Sequence, residues 1–177
     1  MKKFLINISL ILIVIVIYFL QSNFFSWFTI AGVKPNLFIV FVLFIGLFGN
    51  RSLGTIYGGL IGIFLDLLME EKIGANLIGL VIIGILAVIF DKNFSKDSRM
   101  TLIFMVFGST IVFEVISYLT KYILYSMNVE IFNFIIILLI EVLYNIILTI
   151  ILYPLIQRFG YYIENEYKGN KILTRYF

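Results

Sequence analysis

The chain has 177 residues, of which 62% are hydrophobic and only 13% charged, and its net charge is +3. A soluble domain is about 45–50% apolar and about 25% charged, so this composition excludes an ordinary soluble protein and indicates an integral membrane protein in a lipid bilayer. Cysteine and histidine are absent from the sequence. Their absence excludes disulfides and removes the commonest metal ligands. We therefore expect no metal, no cofactor, no enzyme activity and no nucleic-acid partner.

Six apolar segments are predicted to be transmembrane helices, which makes the expected fold an all-α, polytopic bundle. They cover residues 4–20, 36–49, 53–69, 76–90, 101–125 and 131–153. The first follows Lys2 and Lys3, as in a signal peptide, but no small-residue cleavage site follows it, so we interpret it as an uncleaved span. The second is shorter than the roughly 20 residues that a span needs. Pro154 is expected to end or kink the sixth.

The basic residues predict the orientation of the chain in the membrane. Six spans would place Lys34, Lys72 and Lys121 on one side and the other ten of the 13 Lys and Arg residues on the opposite side. Basic residues concentrate on the cytoplasmic side, so both termini are predicted to be cytoplasmic. Residues 1–160 form the expected transmembrane domain and 161–177 a cytoplasmic tail, either loose or lying along the inner leaflet. Whether residues 24–31 re-enter the membrane stays open at this point.

The third span carries a glycine ladder, which we define as Gly54, Gly58 and Gly62, followed at the same spacing by Asp66. Residues four apart lie on one face of a helix, and glycines on such a face let another helix backbone approach closely. Two interpretations remain: internal packing against the fourth or fifth span, or a docking face for a partner's helix or a substrate. Asp66 is expected at the outer interface, wetted and within reach of Lys72.

The last two spans each carry a polar face, and we define the intramembrane polar cluster as four of these residues, Glu114, Lys121, Glu141 and Asn145. The fifth span has Thr110, Glu114, Ser117 and Lys121, and the sixth has Glu141, Asn145 and Thr149. A hairpin turn near residue 128 would place Glu114 beside Glu141 and Asn145 near the bilayer centre. Ionisable groups at that depth suggest function. The cluster either forms hydrogen bonds that hold the two helices together or contains a pair of carboxyls that share one proton. Lys121 is expected to extend toward the interface.

Two segments resemble the MreD family of bacterial rod shape-determining proteins: KPNLFIV at 34–40 and LGTIYGGLIGIFLDLLMEEKIGANLIG at 53–79. The shared pattern is a basic-Pro-Asn start, a glycine-rich span ending in Asp-Leu, and a glycine that opens the next span. The resemblance implies a non-catalytic scaffold in the inner (plasma) membrane that belongs to the cell-wall elongation machinery. Its implied partner is an MreC-like single-span protein, and through it MreB and the glycan polymerase–transpeptidase pair.

The resemblance also implies a fold similar to the substrate-binding S components of ECF vitamin transporters, which supplies an alternative function. In the scaffold hypothesis, Gly54, Gly58 and Gly62 receive a partner's transmembrane helix and Asp66 orients the complex. In the alternative, the bundle binds a small molecule such as a vitamin, with Trp27 and tyrosines against its rings. A membrane enzyme would have only Glu114 and Glu141 as a candidate pair, without a nucleophile or a metal set.

Overall fold

The computed structural model describes residues 2–70, 72–126 and 130–168. These residues form six helices and no strand, which confirms the all-α prediction. The helices are α1 (Lys2–Trp27), α2 (Leu37–Phe48), α3 (Arg51–Met69), α4 (Ala75–Asn93), α5 (Arg99–Tyr125) and α6 (Ile131–Tyr167). Near its end, α1 contains one π-helical turn, at Leu20–Phe24.

Within the described residues, five helices are long and apolar enough to cross a membrane, and α2 is not one of them. It has 12 residues, which rise only about 18 Å against a hydrocarbon core of about 30 Å. Pro35 and Asn36 precede it, and Gly49 and Asn50 follow it. Five long helices and one short one therefore do not confirm the expected count of six spanning helices.

The short helix α2 lies at the centre of the bundle. All of its residues except Phe41 are buried, and it contacts each of the other five helices. A helix that is apolar on every side belongs in the interior. Because protein surrounds it, α2 can begin and end inside the bundle without exposing free backbone groups to lipid.

The connection between α1 and α2 turns back toward the middle of the bundle. Ile30 and Val33 exchange two backbone hydrogen bonds, of 3.0 and 2.9 Å, across a turn in which Gly32 has a φ of 78°. The backbone amide of Asn36 then donates to Oδ1 of Asn145 at 2.8 Å. Asn145 lies 14 residues after the start of α6, or about 21 Å along it. The helix α2 therefore begins deep within the bundle rather than at its outer surface.

The last helix extends beyond the predicted end of the sixth span. Pro154 lies inside α6 and does not end it, so residues 161–167 of the expected tail are the final turns of this helix. Tyr167 donates to Oδ1 of Asn7 at 2.8 Å, and Glu166 pairs with Lys2 at 3.2 Å. Both contacts attach the final turns to α1. The remainder of the expected tail, 169–177, lies outside the described residues.

A group of charges joins three helices at the end of the bundle that holds the N-terminus. Lys96 is only 6% exposed; it donates to the carbonyl of Leu47 at 3.1 Å and pairs with Asp91 at 3.0 Å and Glu164 at 2.6 Å. Lys168 reaches the same carbonyl at 2.8 Å and Asp91 at 2.7 Å. Cations are favoured beside the last carbonyls of a helix, so these lysines fix the end of α2 against α4 and α6.

Candidate functional site: the glycine ladder and the intramembrane polar cluster

The glycine ladder of α3 is covered by the chain's own helices. A methyl group on Gly58 would overlap the backbone carbonyl of Leu80, and one on Gly62 would overlap the backbone of Leu77. At Gly54 the added carbon would lie 2.6 Å from the Cα of Gly46 in α2. The ladder therefore performs the internal packing that was one of the two interpretations, chiefly against α4.

The pair α3–α4 is the most extensive helix contact among the described residues. Its glycines are reciprocal, because a methyl group on Gly84 of α4 would lie 2.5 Å from the carbonyl carbon of Gly54. Backbones at this separation gain dispersion contacts that larger side chains would prevent. Direct contact of the ladder with a partner's helix stays a prediction, and it requires α3 and α4 to separate first.

Asp66 is fully buried, and its carboxylate holds the start of α4. It accepts hydrogen bonds from the backbone amides of Gly74 (2.8 Å), Asn76 (2.9 Å) and Leu77 (3.1 Å), and from the Asn76 side chain (2.9 Å). The first amides of a helix have no partners within it and attract negative charge. Burial against Gly74 and the start of α4 overturns the expectation of a wetted carboxylate.

The expected pair between Asp66 and Lys72 is also wrong, because Lys72 turns toward the end of α5. Its ammonium donates to the carbonyl of Leu124, at 2.5 Å. Lys121, placed by the sequence in the intramembrane polar cluster, instead pairs with Glu70 at 2.7 Å. Its side chain is 36% exposed, as expected for a lysine that extends toward the interface.

Asn145 is the centre of the polar cluster. It is fully buried together with Thr110; its amide nitrogen donates to Oγ1 of Thr110 at 3.1 Å and its amide oxygen accepts from the backbone of Asn36. One side chain of α6 thus joins α5 and the start of α2. Asn36 was not among the predicted members of this cluster. Its signal was an asparagine after Pro35 at the beginning of an apolar segment.

The two membrane glutamates face each other next to this centre. Glu114 and Glu141 are close neighbours, and the side chain of Asn36 also lies near Glu141. Glu141 is only 7% exposed. Among the described residues, no hydrogen-bond donor reaches Oε1 of Glu141 or Oδ1 of Asn36. Several acceptor oxygens therefore converge here without enough donors.

Neither the metal-ligand groups in the described part of the chain nor its main cavity supports a cofactor or small-molecule site. No group of three or more acidic, histidine or cysteine residues that could hold a metal ion occurs there. A cavity of about 300 Å³ lies between α1, α2 and α6, and its lining is apolar. A vitamin would find no hydrogen-bond partners in it. Nothing in this site therefore favours the small-molecule alternative.

The fold defines a polytopic, helical membrane protein whose buried polar groups hold its helices together. The chain belongs to the MreD family: the family described as rod shape-determining protein MreD matches residues 2–163. Members of this family are non-enzymatic inner-membrane proteins of the bacterial cell-shape system. No curated protein and no solved structure matches the chain, so an S-component-like bundle stays a prediction.

Proposed function

We propose that the chain is a scaffold subunit of the bacterial cell-wall elongation complex and associates with an MreC-like single-span protein in the inner membrane. The observation that carries this proposal is the family match over residues 2–163, since the MreD family belongs to the shape system that includes MreB and MreC. Through the MreC-like partner the chain acts on MreB and on the glycan polymerase–transpeptidase pair. Both termini lie in the cytoplasm.

We further propose that the glycine ladder contributes to partner binding indirectly. The ladder holds α3 against α4 at backbone contact, as Gly58 and Leu80 show, and so fixes the outer surfaces of both helices. A partner's helix would pack on those lipid-facing surfaces, which carry exposed apolar side chains such as Leu60 and Ile85. Small displacements of closely packed helices alter the shape of such a surface, because packed interiors transmit strain.

The experiment compares Gly58→Ala with Gly59→Ala, a control on the same helix whose added methyl group would only touch Val81, at 3.6 Å. Each tagged variant replaces the wild-type chain in a rod-shaped bacterium, and MreC-like protein is measured after co-purification. Cell shape and the thermal unfolding of the purified chain are measured in parallel. We expect Gly59→Ala to retain the partner and rod shape, and Gly58→Ala to lose both together with stability.

Two results would contradict these proposals. Failure of the wild-type chain to recover an MreC-like protein, even after chemical cross-linking in the membrane, would overturn the scaffold assignment. Loss of the partner by Gly58→Ala with unchanged thermal stability would mean that the ladder itself receives the partner's helix, and the indirect role would then be wrong.

A further inference from the structure

An apolar cavity lies between α1, α2 and α6. Its volume is about 300 Å³, it is partly open, and its walls consist of hydrophobic side chains and one glycine, Gly160. Val16 and Leu155 line it and are 55% and 58% exposed, so the opening faces the surroundings of the bundle. In a membrane-spanning region these surroundings are lipid. We refer to this cavity as the lateral crevice.

The crevice exists because α1 is fully buried only near its two ends, whereas its middle residues Val14, Ile17 and Tyr18 are only partly buried against the core. Ile6 and Leu10 are buried near its start and Gln21 near its end. Between them, every residue from 11 to 20 is exposed or only half-buried. The opposite wall is α2, whose Val40 is 3% exposed, and Phe48 closes one end against Gly160 of α6.

The length of the crevice matches one leaflet of a bilayer. Along α1 it runs from Leu10 to Leu20, ten residues or about 15 Å, and half of the hydrocarbon core is also about 15 Å. Along α2 it runs from Leu37 to Phe48. Leu37 directly follows Asn36, which is bound to Asn145 deep within the bundle. With the proposed orientation, the crevice extends from mid-membrane to the cytoplasmic side.

We propose that the lateral crevice binds one acyl chain of an inner-leaflet phospholipid. Water is excluded because a site for water needs polar partners, and the lining has none to offer. A partner's helix is too large, since a single helical turn about 10 Å wide and 5.4 Å high occupies roughly 400 Å³. A flexible hydrocarbon chain fits both the apolar walls and the length of one leaflet.

The charges at the cytoplasmic mouth favour an anionic headgroup. Lys2 lies about two turns before Leu10 on α1, and its side chain is 73% exposed although it contacts Glu166. Lys3 follows, with its ammonium 5.4 Å from the centre of the Tyr167 ring. Lysines near the membrane surface attract anionic lipids. The bound lipid would therefore be a phosphatidylglycerol rather than a phosphatidylcholine.

The test is to fill the crevice. Ile17→Trp places an indole in it, and Ile15→Trp is the matched control, because Ile15 is 55% exposed and lies outside the crevice lining. Full-length variants are reconstituted in vesicles of equal parts phosphatidylglycerol and phosphatidylcholine and extracted in mild detergent. The phospholipids that remain bound are counted by native mass spectrometry. Spin-labelled phosphatidylglycerol in wild-type vesicles provides a second measurement that needs no variant.

We expect the wild type and Ile15→Trp to retain one phosphatidylglycerol, and Ile17→Trp to retain about tenfold less, because the indole clashes with the acyl chain. The spin label should show an immobilised component with the wild type.

Equal retention by both variants, or no immobilised component, would overturn the proposal. Equal retention of the two lipids by the wild type would overturn the headgroup preference. The co-purification experiment described above is also carried out with Ile17→Trp. Loss of the MreC-like partner by this variant, without loss of lipid, would identify the crevice as a protein contact instead.

Discussion

At the scale of single residues, Asp66 shows how a carboxylate is accommodated within a membrane helix. Its oxygens receive four hydrogen bonds from Gly74, Asn76 and Leu77. Three of these donors are backbone amides that the start of α4 would otherwise leave without partners, and the fourth is the Asn76 side chain. The carboxylate and the helix end therefore satisfy each other. The glycine ladder brings α3 close enough to α4 for this exchange. The ladder and Asp66 therefore form one structural unit.

We predict that Asp66→Asn lowers the free energy of unfolding by about 1–3 kcal/mol, because an amide offers one acceptor oxygen where the carboxylate offers two. Thermal unfolding in detergent measures the effect. Glu70→Gln is the control: it removes the partly exposed pair with Lys121, and such pairs are worth about 0–1 kcal/mol. Equal losses in the two variants would contradict the role assigned to Asp66.

Glu141 provides a second prediction at this scale. Its Oε1 and the nearby Oδ1 of Asn36 lack donors among the described residues, and Glu114 brings another carboxyl. In Glu141→Gln, an amide of nearly the same shape supplies two N–H donors. We expect this variant to be at least as stable as the wild type, whereas Glu141→Ala loses about 1–3 kcal/mol by leaving buried groups unpaired. Thermal unfolding separates the two, and a strongly destabilised Glu141→Gln would contradict this account.

At the scale of helices, two kinds of contact hold the bundle together: close backbone contact between α3 and α4, and polar contacts among α2, α5 and α6. The pair α3–α4 uses glycines to bring two backbones together, whereas α2, α5 and α6 are joined through Asn36, Thr110 and Asn145. Within a membrane, interhelical hydrogen bonds are worth about 0.6 kcal/mol each. The close glycine packing should therefore be the more sensitive of the two to substitution.

We predict that Gly84→Ala is destabilising and that Gly108→Ala is not. The methyl group at position 84 would meet the backbone of Gly54 at 2.5 Å, whereas at position 108 the nearest atom is in the Phe90 ring at 3.9 Å. Overpacking of this kind costs about 1–3 kcal/mol, while alanine at the open position gains helix propensity. Thermal unfolding of both variants checks this, and equal stability would argue against backbone contact between α3 and α4.

At the scale of the whole molecule, the ends of the bundle differ in charge. Lys96 and Lys168 are paired with Asp91 and Glu164 at the end that also holds the N-terminus. At the opposite end, Lys121 pairs with Glu70. Among these paired lysines, more lie at the end that holds the N-terminus, so the positive-inside rule predicts that this end is cytoplasmic. The proposed orientation rests on the positions of the charges rather than on the net charge of +3.

The orientation can be tested directly because the chain has no cysteine. Ser98→Cys introduces a thiol in the loop before α5, and Ser126→Cys introduces one just after α5. Both serines are exposed, and the exchange is nearly isosteric. A maleimide that cannot cross the inner membrane is applied to cells whose cell envelope outside that membrane has been permeabilised. It should label only Ser126→Cys. Labelling of Ser98→Cys under these conditions would reverse the proposed orientation.

Features that depend only on a short stretch of sequence, such as the bounds of a helix and the residues on one of its faces, could be predicted well. Hydropathy placed α3, α4 and α5 within a few residues of their observed bounds, because a span depends mainly on its own composition. The spacing of Gly54, Gly58 and Gly62 put them on one face, because helical periodicity is local. The resemblance in residues 34–79 identified the family that matches residues 2–163.

The sequence by itself determined the membrane class, the helical character and the composition of each helix face, since these properties reside in a chain segment and its solvent. Only the tertiary structure decided which neighbour covers each face. In the folded chain, α4 packs against the glycine ladder, and Asp66 accepts hydrogen bonds from amides eight to eleven residues further along the chain. Asn36 donates to Asn145, a residue 109 positions away. Such pairings depend on how all helices pack at once, so no local pattern encodes them.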